Sequence, residues 1–478
     1  MTHAKGPERP KEQKAPEENN STAPSPRSHN SQPTGRGSVE KAAKHDSKQN
    51  LVHADQPKGQ GGIGARVSRR AADRLRAGHV WVYASDIESL ELSDSGAAGT
   101  AGEKIPVLLP VADYRGMLLG TALYSPSSQI ALRLVSREAI GEDEWLKLLG
   151  KRLSHAIDRR VPMMNSEDVN SDSCRLCFSE ADEIPGLVVD KYGDLAIVQL
   201  LTKGLDSAAV RERIVETLRE RIHPAAILER PDPRIRELEG MSAPSLEPLY
   251  ASDPQHSMTA TQFRLNGLMF YFDANSGQKT GAFLDQHANY NAAEEWAWIL
   301  SPGGRALDVC TYQGGFALHL ARVSKTVTGI DTSHASLEVA ERNLEANHDK
   351  FKADVDWVEG DAFDVLRDWA SSREQFDSIV LDPPAFAKSR RAVEGAMRGY
   401  KELNLRAMQM LKPGGLLVTC SCSHHVSASD FEAVVAAAAA DAHRRVRLRQ
   451  RRGAAPDHPV VLNIPETEYL KCLILEVE

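Results

Sequence analysis

Two thiols sit at the end of the apolar run Leu416-Leu-Val-Thr-Cys-Ser-Cys-Ser-His-His425, separated by one residue. Side chains two apart in an extended strand share a face, so Cys420 and Cys422 are expected to point the same way. A thiolate adds readily to an electron-poor carbon, and one positioned cysteine is enough for covalent catalysis. Cys422, nearer the loop, is the expected nucleophile, and Cys420 is expected to pack as a small hydrophobe. An ordinary thiol titrates at about 8.5, so Cys422 needs a nearby cation or a helix N-terminus to lower that value. Ser429 and Glu432 have capping-box spacing and are expected to open such a helix. A second reactive stretch is Phe376-Asp-Ser-Ile-Val-Leu-Asp-Pro-Pro-Ala-Phe-Ala-Lys-Ser389, where two prolines stiffen the chain behind Asp382. A plain strand-ending turn explains the prolines but not an acid at the edge where open α/β sheets bind ligands. Asp382 is therefore read as the group that holds a reacting base.

A third set of residues suits a nucleoside. Ala306-Leu-Asp-Val-Cys-Thr-Tyr-Gln-Gly-Gly-Phe316 reads as a strand, a loop with paired glycines Gly314 and Gly315, and a helix with free amides at its start. The dinucleotide spacing G-x-G-x-x-G is absent. Yet a second strand ends about 20 residues later in Asp331, where a carboxylate can accept both ribose hydroxyls. Asp361 and Phe363, after a third strand, either meet an adenine edge and face or form a plain turn, and an adenosyl group without a pyrophosphate fits these residues better than a dinucleotide. Ser333 can cap the helix that follows Asp331, whose stripe of Leu337, Ala340 and Leu344 is packing.

These residues need a sheet to bring them together. Buried-type strands Ala306–Val309, Thr326–Ile330 and Ser378–Leu381 alternate with helical segments, which predicts a parallel sheet covered on both faces. Before it, a helix from about Glu142, strands Leu187–Asp190 and Leu195–Leu201, a helix Ser207–Arg221 and a strand Ala225–Glu229 make a small α+β unit. Earlier still, a basic helix Arg66–Ala77 and short apolar runs at Ile105–Leu109, Met117–Tyr124 and Gln129–Val135 make a β-rich module. The expected divisions are 1–62, 63–138, 139–267 and 268–478. Residues 1–62 are rich in Pro, Ser, Asn and charge, with almost no aliphatics before Leu51, and are expected to be a disordered tail.

Composition narrows the remaining choices. The chain lacks the roughly 18-residue apolar run of a membrane span and an apolar leader, so a cytoplasmic protein with no membrane partner is expected. Six cysteines in 478 residues are too few for a disulfide scaffold. Cys174 and Cys177 form a lone C-x-x-C without a second pair, so no metal site is expected, and in a regular strand one thiol would face in and the other out. A net charge of −8 argues against indiscriminate binding of nucleic acid, leaving local patches to attract phosphates. His443-Arg-Arg-Val-Arg-Leu-Arg-Gln-Arg-Arg452 is one candidate, as a strand with a cationic face or a solvated edge; Arg66, Arg69, Arg70, Arg74, Lys388, Arg390 and Arg391 are others.

Taken together these motifs resemble the large-subunit rRNA cytosine-C5 methyltransferases of the class I adenosylmethionine fold, the family of rRNA large subunit methyltransferase I. The likeness covers about Ile63 to Glu478. It rests on Ser276-Gly-Gln-Lys-Thr-Gly-Ala-Phe-Leu-Asp-Gln286, Asp382-Pro-Pro-Ala-Phe-Ala-Lys-Ser389, Ser421-Cys-Ser423, and Asp457-His-Pro459 ahead of Glu468-Tyr-Leu-Lys471. The resemblance implies an α/β protein whose C-terminal Rossmann-like methyltransferase domain follows a β-rich PUA domain that helps hold RNA and a small α+β middle domain. It implies S-adenosyl-L-methionine as cofactor, with Gln278, Lys279 and Thr280 near its methionine part and Asp308, Asp331, Asp361 and Asp382 around the remainder. It further implies 23S rRNA as partner, 5-methylcytosine as product and a homodimer. Ala385 stands where many RNA cytosine-C5 methyltransferases carry a second cysteine, which narrows the subfamily, and His287 replaces a common arginine. An rRNA guanine or adenine N-methyltransferase of the same fold would need no thiol. A non-catalytic RNA-binding assembly factor would need no cofactor.

Overall fold

The computed structural model describes residues 64–92, 107–164, 170–245, 247–255, 257–275, 281–387 and 389–478. The expected tail, 1–62, lies outside them. The first unit is a six-stranded sheet in the spatial order Trp81–Val82, Leu132–Ser136, Leu118–Tyr124, Leu108–Ala112, Gly64–Val67, Ile87–Glu91. Its helix runs Arg69–Arg76 and starts later than expected. Arg66 is held in a strand opposite Ser89, and the Ser68 hydroxyl accepts from the Ala71 amide as N-cap. The helix buries Ala71, Ala72 and Leu75, so Arg69 and Arg70 face solvent, while Arg74 pairs with Asp86 at 2.8 Å.

The second unit is a five-stranded sheet ordered Tyr250–Ala251, Ala226–Glu229, Leu195–Leu200, Leu187–Tyr192, Ser173–Phe178, with helices Glu142–Met164 and Ala208–Ile222 packed in its core. The expectation of one inward and one outward thiol at Cys174 and Cys177 is overturned. A β-bulge between Arg175 and Cys177 shifts the alternation, so both thiols are buried. Beside them, the buried Arg160 guanidinium donates to both oxygens of the buried Asp182 at 3.0 and 2.8 Å and to the carbonyl of Asp457 at 3.0 Å. The hairpin Ala260–Leu265/Leu268–Asp273 turns at Asn266-Gly267, where the 267/268 division was expected. Phe263, Phe270 and Phe272 of this hairpin pack into one core with Tyr192 and Ile197 on one side and Ala306, Phe316 and Val327 on the other.

The third unit carries seven strands: β1 (Arg305–Val309), β2 (Thr326–Asp331), β3 (Asp354–Glu359), β4 (Phe376–Leu381), β5 (Leu411–Ser421), β6 (Val446–Arg452) and β7 (Lys471–Val477). Their spatial order is β3-β2-β1-β4-β5-β7-β6, parallel from β3 to β5, with β7 antiparallel to both neighbours. The central strands are buried on both faces between two apolar clusters, which accounts for their unbroken apolar runs. Chain order reverses between β1 and β4, and at such a point the loops splay and leave a crevice. The arginine-rich β6 is an edge strand. Its cations are matched by carboxylates: Arg447 with Glu478, Arg449 with Glu476, and Arg451 with Glu432 at 2.6 Å. The cationic face expected there is thus largely neutralised. No helix among the described residues is long and apolar enough to cross a membrane.

Removing one partner of a buried ion pair strands the other charge, at a cost of roughly 3–5 kcal/mol. Asp182→Ala is expected to lower the unfolding free energy measured by urea titration by that amount. The double variant Arg160→Met/Asp182→Ala is expected to recover much of the loss.

Candidate active site

The loop between β1 and the helix Gly315–Leu320 is wound tightly, with Cys310, Tyr312 and Gly314 all at positive φ. One carboxylate draws it in. Asp308 is completely buried, and its Oδ2 accepts from the Thr311 hydroxyl at 2.6 Å and the Ala317 amide at 2.9 Å. Its Oδ1 has no partner, and burial pushes the Asp308 pKa up to about 7. Gly315 is required for space, since a Cβ there would lie 2.5 Å from the Tyr290 ring. His319, one turn on, is buried and held neutral by that burial, with its pKa pushed down to about 3. Its Nδ1 donates to the Gly315 carbonyl and its Nε2 accepts from Asn266.

In front of this loop lies a cleft of about 330 Å³, within the range of small-molecule sites. Gly315, Asp331, Asp361, Phe363, Asp382 and Cys422 all line it. Asp331 accepts from the Tyr312 amide through Oδ2 and from the Ser333 amide through Oδ1, both at 2.9 Å, which orients its carboxylate. Asp361 caps the helix Ala362–Ser371 by accepting from the amides of Phe363 and Asp364. Asp308 and Gly314 lie outside the lining and shape it from behind. Gln278, Lys279 and Thr280 lie outside the described residues. The segment that follows them is braced by Tyr312, whose hydroxyl donates to the Gly281 carbonyl at 3.0 Å and whose ring meets Phe283 edge-on. Among the described lining residues there are four aspartates and neither lysine nor arginine. Such walls suit a neutral nucleoside with a cationic centre and disfavour a pyrophosphate.

Cys422 emerges from the end of β5, where two serines and a tyrosine fix it. The Tyr400 hydroxyl, on the helix Val393–Met410, lies 2.9 Å from both the Ser421 and Ser423 hydroxyls. Ser423 also accepts from the Ala387 amide at 3.1 Å. The residues on either side of the thiol are thereby tied to a neighbouring helix and to the Asp-Pro-Pro loop. Cys420, two residues back, is completely buried opposite Cys472, and both this contact and burial raise its thiol pKa. Cys310 also lines the cleft, but burial and then the nearby aspartates push its pKa up and keep it protonated. The next helix is capped by Ser427 in a capping box with Asp430, two residues before the expected Ser429, and Glu432 pairs with Arg451 instead. His287 sits 3.4 Å from Asp457, which is also paired to His458 at 2.8 Å and takes the Arg175 amide at 2.9 Å.

Sequence reasoning missed Tyr400, Tyr312 and Lys471. Lys471 opens β7 opposite Ser421, and its ammonium donates to the carbonyls of Ser423 at 2.7 Å and Tyr469 at 2.8 Å. Lys471 closes the Glu468-Tyr-Leu-Lys471 segment on which the family resemblance partly rests, but that segment carries no sign of the lysine's partners, and burial of such a residue is unusual.

Comparison with known proteins supplies an independent view. A family profile described as a PUA-like domain matches residues 65–137, and one described as a methyltransferase domain matches residues 300–453. The chain is 34% identical over 401 residues to the ribosomal RNA large subunit methyltransferase I of Photobacterium profundum, spanning 83% of this chain and 95% of that protein. It is 35% identical over 410 residues to the protein of that name from Pseudoalteromonas translucida, spanning 84% and 96%. A structure of a SAM-dependent methyltransferase candidate from Streptococcus mutans shares the fold at a TM-score of 0.70 and 20% identity, covering 87% of this chain and 100% of that one. Another, of a methyltransferase candidate complexed with SAH, does so at a TM-score of 0.71 with the same identity and coverage.

The Asp308 carboxyl gives a pH-dependent prediction. Its folded pKa of about 7 exceeds the ordinary 3.8, so folding favours the protonated form. Its stabilising contribution is complete below pH ~4, declines as pH rises to about 7, and is constant beyond, a total of roughly 4 kcal/mol. Asp308→Asn imitates the protonated group. Urea unfolding at pH 5 to 8 should show the wild type losing stability relative to this variant as pH rises.

Proposed function

The chain belongs to the ribosomal RNA large subunit methyltransferase I family, and on that basis we propose that it methylates carbon 5 of a cytosine in large-subunit (23S) rRNA. The reading rests on one observation, the shared cleft that holds a thiol, Cys422, and a proline-stiffened carboxylate, Asp382, opposite the nucleoside-type residues Asp331, Asp361 and Phe363. S-adenosyl-L-methionine supplies an electrophilic methyl group on a sulfonium. Asp331 would accept its ribose hydroxyls, Asp361 and Phe363 would meet the adenine, and Gln278, Lys279 and Thr280 would lie by the methionine part. Asp308, Gly314 and Gly315 form the loop that shapes this pocket.

Carbon 5 of cytosine is a weak nucleophile, and Cys422 corrects this. The thiolate forms an S–C bond at carbon 6, which makes carbon 5 enamine-like and able to take the methyl group. As the sulfur adds, N3 takes up a proton that it donates in a hydrogen bond to Asp382, which also accepts from the amino group and so stabilises the adduct. Loss of the carbon 5 proton then restores the double bond as the S–C bond breaks and the thiolate leaves. Residues 63–138 would serve as the PUA module that holds structured RNA, ahead of a middle domain at 139–267 and the methyltransferase domain at 268–478. The cytoplasm is the compartment this substrate implies.

Cys422→Ala is expected to bind S-adenosylmethionine normally and to lose methyl transfer by at least roughly a thousandfold. RNA carrying 5-fluorocytosine should trap the wild-type enzyme covalently through Cys422, because fluorine blocks the release step. Mass spectrometry of digested RNA is the readout. Wild-type turnover by Cys422→Ala with an N-methylated purine as product would overturn the cytosine reading in favour of N-methylation.

A further inference from the structure

If Cys422 attacks as a thiolate, as proposed above, positive charge is needed beside it. The described cleft lining supplies none. The helix that begins at Ala428 is closed by its own capping box. Tyr400 acts electrostatically on Cys422, but its hydroxyl is a neutral group whose pKa is raised by burial. Lys471 is different in kind. It is 8% exposed and lies on the strand directly paired with β5. Its acceptors, the carbonyls of Ser423 and Tyr469, are both uncharged, and no carboxylate among the described residues lies within ion-pair distance. Two of its three N–H groups are thus accounted for, and its charge is not neutralised by a salt bridge. Cys422 is the group that most strongly favours its charged form, ahead of Glu468.

We infer that Lys471 is a positioning residue for the nucleophile: its ammonium fixes the Ser423 carbonyl just after Cys422 and stabilises the adjacent thiolate. Cys422 and Glu468 favour the ammonium, Tyr400 faces the thiol from its helix, Asp382 shares the cleft and opposes the thiolate, and burial draws the Lys471 pKa down to about 8. A burial cost of that size, borne without a carboxylate partner, fits a lysine whose counter-ion is the Cys422 thiolate.

Rates of alkylation of Cys422 by iodoacetamide, followed by mass spectrometry of its peptide from pH 5 to 10, test this in the full chain. The wild-type midpoint is expected well below the ordinary thiol value of about 8.5. Lys471→Met should raise it and slow alkylation at pH 7 about tenfold or more, whereas Lys471→Arg should keep it near wild type. Single-turnover methylation by Lys471→Met should fall in parallel and recover toward pH 9.5, with affinity for S-adenosylmethionine unchanged. A wild-type midpoint at or above the ordinary value, or an unchanged profile in Lys471→Met, overturns the inference. If Lys471→Met does not fold, the wild-type profile decides. Failure of the Cys422 reading would be seen separately, as methylation by Cys422→Ala, since alkylation does not depend on turnover.

Discussion

Asp308 is completely buried, and the one oxygen it has bonded pulls Thr311 and the first turn of the next helix onto the end of β1. Much else in the cleft follows from this. The loop can close that tightly only with residues in the left-handed region at Cys310, Tyr312 and Gly314, and the strain at the two non-glycines must be offset by their surroundings. The Tyr312 amide then meets Asp331 and its hydroxyl meets Gly281, so one loop orients both a carboxylate at the cleft and the segment that flanks it. Neutral His319 and Asn266 support the same turn from behind.

The residues that were legible in the sequence share a property. Asp331 ends β2, and Asp361, Phe363, Asp382 and Cys422 each come just after the carboxyl end of β3, β4 or β5; in a parallel sheet all such ends lie on one edge. Local order along the chain was therefore enough to gather them. What supports them was not legible, because it depends on pairings between distant segments. Lys471 meets Ser423 only because β7 runs antiparallel beside β5, and Tyr400 reaches the two serines only because its helix packs over β4 and β5.

Local patterns misled where a long-range contact competed with them. Arg66 reads as helical, yet pairing with Ser89 keeps it extended. Cys174 and Cys177 read as facing apart, yet the bulge between them turns both inward. The arginines of β6 read as either a cationic face for phosphates or a solvated edge; β6 is an edge strand, and Glu432, Glu476 and Glu478 stand opposite three of its arginines. The misreadings have one origin: periodicity gives a residue's direction only while the register stays regular, and gives no information about its neighbour.

The bulge at Arg175 has one more consequence. It frees the Arg175 amide to reach Asp457, while Arg160 of the same unit holds the Asp457 carbonyl and Tyr192 stacks on Phe272 with ring centroids 4.3 Å apart. The middle sheet thus supplies donors and apolar surface that the C-terminal sheet cannot provide for itself. In evolutionary exchange the two would travel as a pair, because a gene fusion that carried the methyltransferase sheet alone would inherit a buried Asp457 without the Arg175 and Arg160 donors, left to His287 and His458, and an uncovered aromatic ring.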